Sequence, residues 1–561
     1  MSEMSQIVES TPVKQPQRAR RTMRDLLVLS ALTLALHLPF IGQAFHLDDV
    51  QYLDVAQNVY QNPFFPLDLP SVFEGLQLTL WGHTHPPLNS YLIAGLLLFH
   101  DRSPSEVFLH SAFLFFPVLV TISFYFLSRR FIQNPFLAAA LLATNPTLMV
   151  SAHTLMADVP LLGLWLCAAV LFLKGVDENN RSLIYWSGIP ITAACFYAYQ
   201  AFAIIPLLGF YAVGRKRLRG SAILVLGAPI VLMAGWQLSG YLYRGVMYAS
   251  TMFQYLGERG LWRGGTKLNT AILTLTYLGG IIFPFPFIFA RMCRSRKGLA
   301  AWIGLALAIV VAYETLAGYT WWQTVFFVAC LGGGVAAVIW IVARGFELWS
   351  VKNWATDNMF LCVWTIGVLV GSVVAFFSGS ARYLLPACPP LLLLLLRADE
   401  QRMITFSRAR IFYISLLAVQ LALGLAMAQS DYEFAGIGRR EAQDFQAKYL
   451  SNTNQHFLFS GEWGFRYYLT AMGGEIMSER TTGSPGKLVV VSRLCLGRTF
   501  DNELGRSLDL VEERTYRIRS PLRLLDEKAR AGFWSNGWGV LPFWFSREKF
   551  DDLYIYRVRE N

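Results

Sequence analysis

Stretches of about 18 or more apolar residues, long enough to cross the hydrocarbon of a bilayer, recur along this chain with short polar breaks between them. No motif in it constrains the fold as much. In lipid the backbone must satisfy its own hydrogen bonds, so such runs become helices. Charged residues make up only 15% of the chain and hydrophobic ones 54%, where a soluble protein carries roughly 25% charge. The expected fold class is an all-α polytopic membrane protein. The formal net charge is +11, but nucleic-acid binding needs basic residues gathered on one face. Here they sit in short clusters between the apolar runs, where they set topology, so no nucleic-acid partner is expected.

Reading those clusters as cytoplasmic fixes the path. Residues 1–22 form a polar, disordered cytoplasmic arm, followed by an uncleaved first span at 25–44 and an outer loop at 45–106. Within that loop, PLNSYLIAGLLLFH (87–100) is too short to span and is expected to lie flat. If it crossed, Arg129 and Arg130 would face outward. Further spans follow at 107–128, 132–150 and 156–174, then a hairpin of two short spans at 183–214, and 221–242. The remaining spans are 269–290, 299–317, 321–343, 358–377, 383–396 and 411–428, about 13 in all. The transmembrane domain is thus 23–429, and residues 430–561 form a small α/β extracytoplasmic domain. In it KLVVVSRLCL (487–496) and DDLYIYRV (551–558) read as strands. Seven cysteines, five of them in apolar runs, give no ligand cluster and no disulfide framework, so neither metal nor cofactor is expected.

Ionisable groups beside spans are costly and mark function. Asp48 and Asp49 directly follow the first span; they read either as helix caps or as a general base or metal ligand. His83 and His85, in HTHPP, suit the mouth of a pocket for an anionic or hydroxyl-rich ligand. Asp158, in LMADVPLL, stands at the outer start of its span, as a cap or as a second acid facing the same pocket as Asp48. Arg382 with Tyr383, in SARYLLPACPP, reads as a headgroup anchor or as a phosphate clamp, since the guanidinium fork suits phosphate. Arg244, Arg259, Arg263 and Lys267 in the outer loop 244–267 are further cationic candidates. No nucleotide-binding or kinase motif is present.

Four pieces in this order carry a resemblance: the acidic pair Asp48–Asp49, HPPLNSYLIA from His85, LMADVPLL around Asp158, and RYLLPACPPLLL from Arg382. Across about residues 25–400 the chain resembles the bacterial branch of the integral-membrane GT-C glycosyltransferases. These are relatives of the dolichyl-phosphate-mannose protein mannosyltransferases and of the lipid A aminoarabinose transferase. The resemblance implies inverting transfer of a sugar from a polyprenyl-phosphate-linked donor, at the outer face of a bacterial inner membrane. It assigns the catalytic base to Asp48, or to Asp49 with a one-residue slip, and a second acid to Asp158. A Lys precedes the Pro-Pro pair in the aminoarabinose transferases; here His85 stands there. The acceptor, whether glycolipid, glycan or protein, is left open. A transporter or flippase is the alternative; it would place its polar groups at mid-membrane within a repeated architecture.

Overall fold

The computed structural model describes residues 15–281, 305–306, 309–310, 318–350, 356–376, 378–401, 406–450, 456–499 and 503–560. Helices α1 (Gln15–His37), α2 (Asp49–Asn58), α3 (Leu88–Leu97), α4 (Glu106–Phe113) and α5 (Phe115–Phe131) open the chain. Next come α6 (Pro135–Ala143), α7 (Pro146–Ser151), α8 (Asp158–Asp177), α9 (Arg181–Tyr197) and α10 (Ile204–Gly214). They are followed by α11 (Gly220–Arg244), α12 (Tyr248–Glu258), α13 (Gly264–Gly280), α14 (Trp321–Ser350) and α15 (Asp357–Ala375). The last long helices are α16 (Cys388–Glu400) and α17 (Phe406–Phe445), with α18 (Trp463–Ala471) beyond them.

This is a polytopic membrane protein: among the described residues, eight helices are long and apolar enough to cross a bilayer. That number takes only long, unbroken helices, whereas the thirteen expected spans include shorter and broken ones. The run at 132–150 is broken into α6, of 9 residues, and α7, of 6, so neither piece alone has the length of a span. Pro146 supplies no backbone donor, and the Asn145 side chain accepts from Thr147 N and Leu148 N, ending one helix and starting another. The hairpin at 183–214 consists of helices of 17 and 11 residues, joined at Tyr199–Ala203 by a 3₁₀ turn. The part of 269–290 from 282 onward and most of 299–317 lie outside the described residues. Helix α3, with 10 residues, is about 15 Å long, half the hydrocarbon thickness, as expected of a segment that does not cross.

Small residues let α13 and α14 meet closely. A Cβ on Gly279 would collide with the Cys330 carbonyl, and one on Gly334 with the Leu275 carbonyl.

Helix α8 gives the bundle its scale. Its 20 residues span about 30 Å, one hydrocarbon thickness. At its far end Asp177 pairs with Arg130 and lies 3.9 Å from Arg215, while Asp357 lies 2.9 Å from Arg130, 2.5 Å from Arg215 and 3.7 Å from Arg397. Members of three of the basic clusters therefore share one end of the bundle. Asp158 starts the same helix at the opposite end.

The outer loop holds a hairpin, β1 (Pro70–Phe73) and β2 (Leu76–Thr79). It turns at Glu74 and Gly75 with φ of 50° and 80°, the left-handed pair that a two-residue hairpin loop requires. Helix α17 runs 40 residues, about 60 Å or twice the hydrocarbon thickness, so it continues past the expected boundary at 430 into the C-terminal domain. That domain carries β3 (Leu458–Ser460), β4 (Glu475–Ile476), β5 (Leu488–Ser492), β6 (Leu508–Tyr516), the two-residue strands β7 (Leu522–Arg523), β8 (Leu525–Asp526), β9 (Ala531–Gly532) and β10 (Trp544–Phe545), and β11 (Asp551–Val558). Its five-stranded mixed sheet has the order β4-β3-β5-β11-β6. The two strands read from sequence, β5 and β11, are antiparallel neighbours at its centre.

Candidate functional site

The site lies where α2, α8 and the turn before α16 meet, beneath the C-terminal domain. Leu47, with φ of 51°, is a left-handed non-glycine residue of the kind that concentrates at functional sites. It turns the chain into Asp48, which occupies the N-cap position of α2 but makes no capping hydrogen bond. Its carboxylate reaches Arg382 instead, with Nη2 donating to Oδ2 across 3.1 Å. Arg382 Nη1 lies 3.6 Å from Asp158 Oδ2 and also contacts Met156 Sδ. One guanidinium thus bridges two carboxylates drawn from regions more than a hundred residues apart. The bridge is unevenly open: the Asp48 side chain is 36% exposed, Arg382 13% and Asp158 7%. Arg382 Nε is buried and has no acceptor among the described residues.

Asp49 does different work. Its side chain is fully buried and accepts from Leu155 N at 2.7 Å and His46 N at 3.2 Å. Asn89 Nδ2 donates to the Leu155 carbonyl at 2.6 Å, so the peptide leading into α8 is gripped from both sides. The adjacent acids divide the labour: Asp49 ties the loop together and Asp48 faces the opening.

His83 and His85 pack near Tyr52, with ring centroids 5.5 and 5.9 Å from it. His85 N donates to His83 Nδ1 at 3.2 Å, and His83 Nε2 lies 3.1 Å from Gln51 Oε1. Burial, then the neighbouring His83 and Arg382, push the His85 pKa down to about 3, and burial lowers that of His83. Both rings are neutral at pH 7, so His85 does not replace a lysine's charge. Its buried Nδ1 has no partner among the described residues and is suited to a hydroxyl.

The other cations make contacts of their own. Arg244 pairs with Asp68 at 2.7 Å and Arg259 with Glu74 at 3.2 Å. Lys267 Nζ donates to the carbonyls of Val373, Val374 and Phe376 at the end of α15, at 3.0, 2.7 and 3.0 Å. Arg263 is exposed, just before α13. Tyr383 stacks on Phe376 with centroids 3.6 Å apart, and its ring lies 5.3 Å from the Arg382 guanidinium carbon.

Sequence reasoning missed a second layer. His46 Nε2 lies 3.2 Å from Asp431 Oδ2, and Trp534 Nε1 donates to Asp431 Oδ1 at 2.7 Å. The Trp534 ring in turn lies 5.8 Å from the Arg382 guanidinium carbon. Burial works to lower the His46 pKa, but Asp431 and then Asp49 outweigh it and raise the pKa to about 9. His46 is therefore an imidazolium held between two buried carboxylates.

Residues 84–236, a little over a quarter of the 561, match the family model described as dolichyl-phosphate-mannose-protein mannosyltransferase. No curated protein matches the chain in sequence. Among solved structures it is similar to the oligosaccharyltransferase AglB from Archaeoglobus fulgidus, with 15% identity over 81% of this chain and 64% of that one, at a TM-score of 0.44. It is also similar to ArnT from Cupriavidus metallidurans, with 16% identity over 83% and 92% of the two chains and a TM-score of 0.38. A third likeness is to the arabinofuranosyltransferase AftD from Mycobacteria, with 14% identity over 96% and 40% and a TM-score of 0.38. This chain therefore spans less than two thirds of the archaeal enzyme. Structural similarity this distant assigns no activity.

Proposed function

We propose that this protein is an inverting glycosyltransferase that moves a sugar from a polyprenyl-phosphate-linked donor to a hydroxyl acceptor. The observation that carries this reading is the Asp48–Arg382–Asp158 bridge at one end of an apolar bundle, with Asp48 alone keeping an open face. A lipid-linked donor has its tail in the hydrocarbon and its phosphate at the headgroup level, which is where such a site would meet it. The match of residues 84–236 to a family of dolichyl-phosphate-mannose-dependent enzymes supports the same donor class.

The chemistry assigned to these groups is a single displacement. The acceptor oxygen forms a bond to the anomeric carbon as the bond from that carbon to the phosphate oxygen breaks on the opposite face. Asp48 takes the acceptor's proton, and the lipid phosphate leaves with the electron pair of the broken bond. Arg382 stabilises the charge that grows on the phosphate. Asp158 holds the other side of the guanidinium, and His83 and His85 supply neutral hydrogen-bonding edges. By the charge rule, the end holding Arg130, Arg215 and Arg397 faces the cytoplasm of a bacterial inner membrane, and the site faces outward. A transporter or flippase reading fares worse, because the ion pairs of the bundle among the described residues gather at its two ends.

The test compares wild type, Asp48→Asn and Asp49→Asn, purified in lipid nanodiscs with the cell's own lipid-linked sugars. It reads release of free polyprenyl phosphate and the mass of glycosylated acceptors. Loss of turnover in Asp48→Asn at normal thermal stability is expected. Full turnover in Asp48→Asn with none in folded Asp49→Asn would move the base by one residue. Full turnover in both would overturn the mechanism.

A further inference from the structure

One loop of the C-terminal domain, 533–536, grips the site at backbone and side chain together. Ala381 N donates to the Phe533 carbonyl at 2.9 Å, and Ser380 Oγ to the same oxygen at 3.3 Å. Asn536 N donates to the Gly379 carbonyl at 3.1 Å, while Gly379 N donates back to Asn536 Oδ1 at 3.2 Å. The three residues before Arg382 are thus pinned to this loop. Trp534, between these anchors and 4% exposed, presents its ring to Arg382 and its indole N–H to Asp431.

We propose that Trp534 is a positioning residue, through which the C-terminal domain completes the donor site by fixing the plane of the Arg382 guanidinium. The inference rests on reading Arg382 as the contact for the donor phosphate. The contacts close into a ring. Arg382 meets Asp48; the next residue, Asp49, lies 3.7 Å from His46 Nδ1; His46 meets Asp431; Asp431 holds Trp534; and Trp534 covers Arg382. His46, Asp49, Asp431 and Trp534 are buried at 2%, 0%, 0% and 4%, so none of these four can turn away without stranding a polar group. Only a tryptophan among the aromatic residues combines a strong cation-binding face with an N–H at its edge. The face limits where Arg382 lies, and the N–H fixes the ring against Asp431. Gln43 Nε2, donating to Asp431 Oδ2 at 3.2 Å, adds a further restraint on that carboxylate.

Orientation matters because two of the guanidinium nitrogens are already directed at carboxylates. Turning the fork would change which of its edges an incoming phosphate meets without removing any charge. A positioning role therefore predicts weakened recognition of phosphate, with the polyprenyl chain's own affinity unchanged.

The experiment measures equilibrium binding of radiolabelled undecaprenyl phosphate, and of undecaprenol, to the full-length protein in nanodiscs. Arg382→Ala, Trp534→Leu and Trp534→Phe are compared with wild type, with thermal unfolding in parallel. A desolvated cation–ring contact is worth about 2 kcal/mol, so Trp534→Leu is expected to lower the phosphate-to-alcohol affinity ratio roughly 30-fold. Trp534→Phe, which keeps an aromatic ring but loses the N–H, falls between Leu and wild type and serves as the test if the Leu variant does not fold. Arg382→Ala losing the preference for phosphate while both Trp534 variants keep it would overturn the positioning role and leave the donor reading intact. Equal losses for phosphate and alcohol in the Trp534 variants would also overturn it, as a merely structural effect. Unchanged preference in folded Arg382→Ala would remove Arg382 as the phosphate contact, and this inference with it.

Discussion

Replacing Arg382 by alanine separates two consequences that the geometry allows to be sized independently. The guanidinium is 3.1 Å from Asp48 and 3.6 Å from Asp158. The Asp158 side chain is only 7% exposed, and removing one member of a buried pair costs about 3–5 kcal/mol of stability. The Asp48 side chain is 36% exposed, so water replaces most of what it loses. Under the proposed mechanism the chemical consequence is loss of a donor to the leaving phosphate, worth about 2–4 kcal/mol in the transition state, or roughly 30- to 1000-fold in rate. The double variant Arg382→Ala/Asp158→Asn removes the orphaned charge together with its partner. It is expected to recover most of the stability and none of the rate, with Asp158→Asn alone as the baseline. Arg382→Lys is expected to recover part of the rate, because the charge survives and the planar fork does not. The assay is release of free polyprenyl phosphate per folded molecule, which any such transfer produces whatever the sugar, read beside thermal unfolding. If the double variant regained the turnover of Asp158→Asn along with its stability, Arg382 would be a structural bridge and nothing more.

Asp49→Asn is expected to lower stability by about 1.5–3 kcal/mol, the scale of hydrogen bonds to a charged group, because Asp49 accepts from Leu155 N and His46 N in a dry interior; a shift in thermal unfolding with turnover retained in the folded fraction checks it. The His46 pKa is raised to about 9, so its stabilising contribution is complete below about 6.5 and fades as pH rises through about 9. Melting temperatures measured from pH 6 to 10 are expected to fall across that window in the wild type and to fall less in His46→Gln. Cysteines introduced at Ser103 and Gln133, exposed just before α4 and just after α5, are expected to react with impermeant reagents from opposite sides of the membrane. Labelling of both from one side would undo the topology.

The parts of the site legible in sequence were those whose charge is anomalous where it stands. Asp48, Asp158 and Arg382 each sit beside an apolar run, where an unpaired charge is costly, and all three meet in one bridge. Asp431 carried no such signal. It follows the last apolar run, where the hydropathy reads as an emerging tail, yet α17 continues to Phe445 because its neighbours there are a folded domain instead of lipid. Trp534 is one of 16 tryptophans and lies in a stretch whose aromatic content suits a membrane interface equally well. Its role depends on a contact 152 residues away along the chain, between residues 382 and 534, which no local pattern encodes. The break at Asn145–Pro146 did have a local signal, a capping residue followed by proline. The length of the surrounding apolar run hid it, because hydropathy averages over a residue that changes backbone geometry without changing polarity much.

Helix α8 explains why the site can stand at a fixed depth with so few charges. Asp177 at one end is held by Arg130 and Arg215, and Asp158 at the other by Arg382. Sliding the helix by one residue along its axis, about 1.5 Å, would strain both sets of contacts and drag a carboxylate into hydrocarbon. The second acid is therefore held at the boundary of the apolar slab by the length of the helix that carries it, and Arg382 inherits that depth. A phosphate tethered to a polyprenyl tail is confined to the same plane by its own amphipathy. A proposed donor and a site held at one depth by independent constraints need only find each other within the membrane plane. This reduces the translational freedom that binding must overcome, and it supports the proposal that one arginine, shared between two aspartates, meets the phosphate.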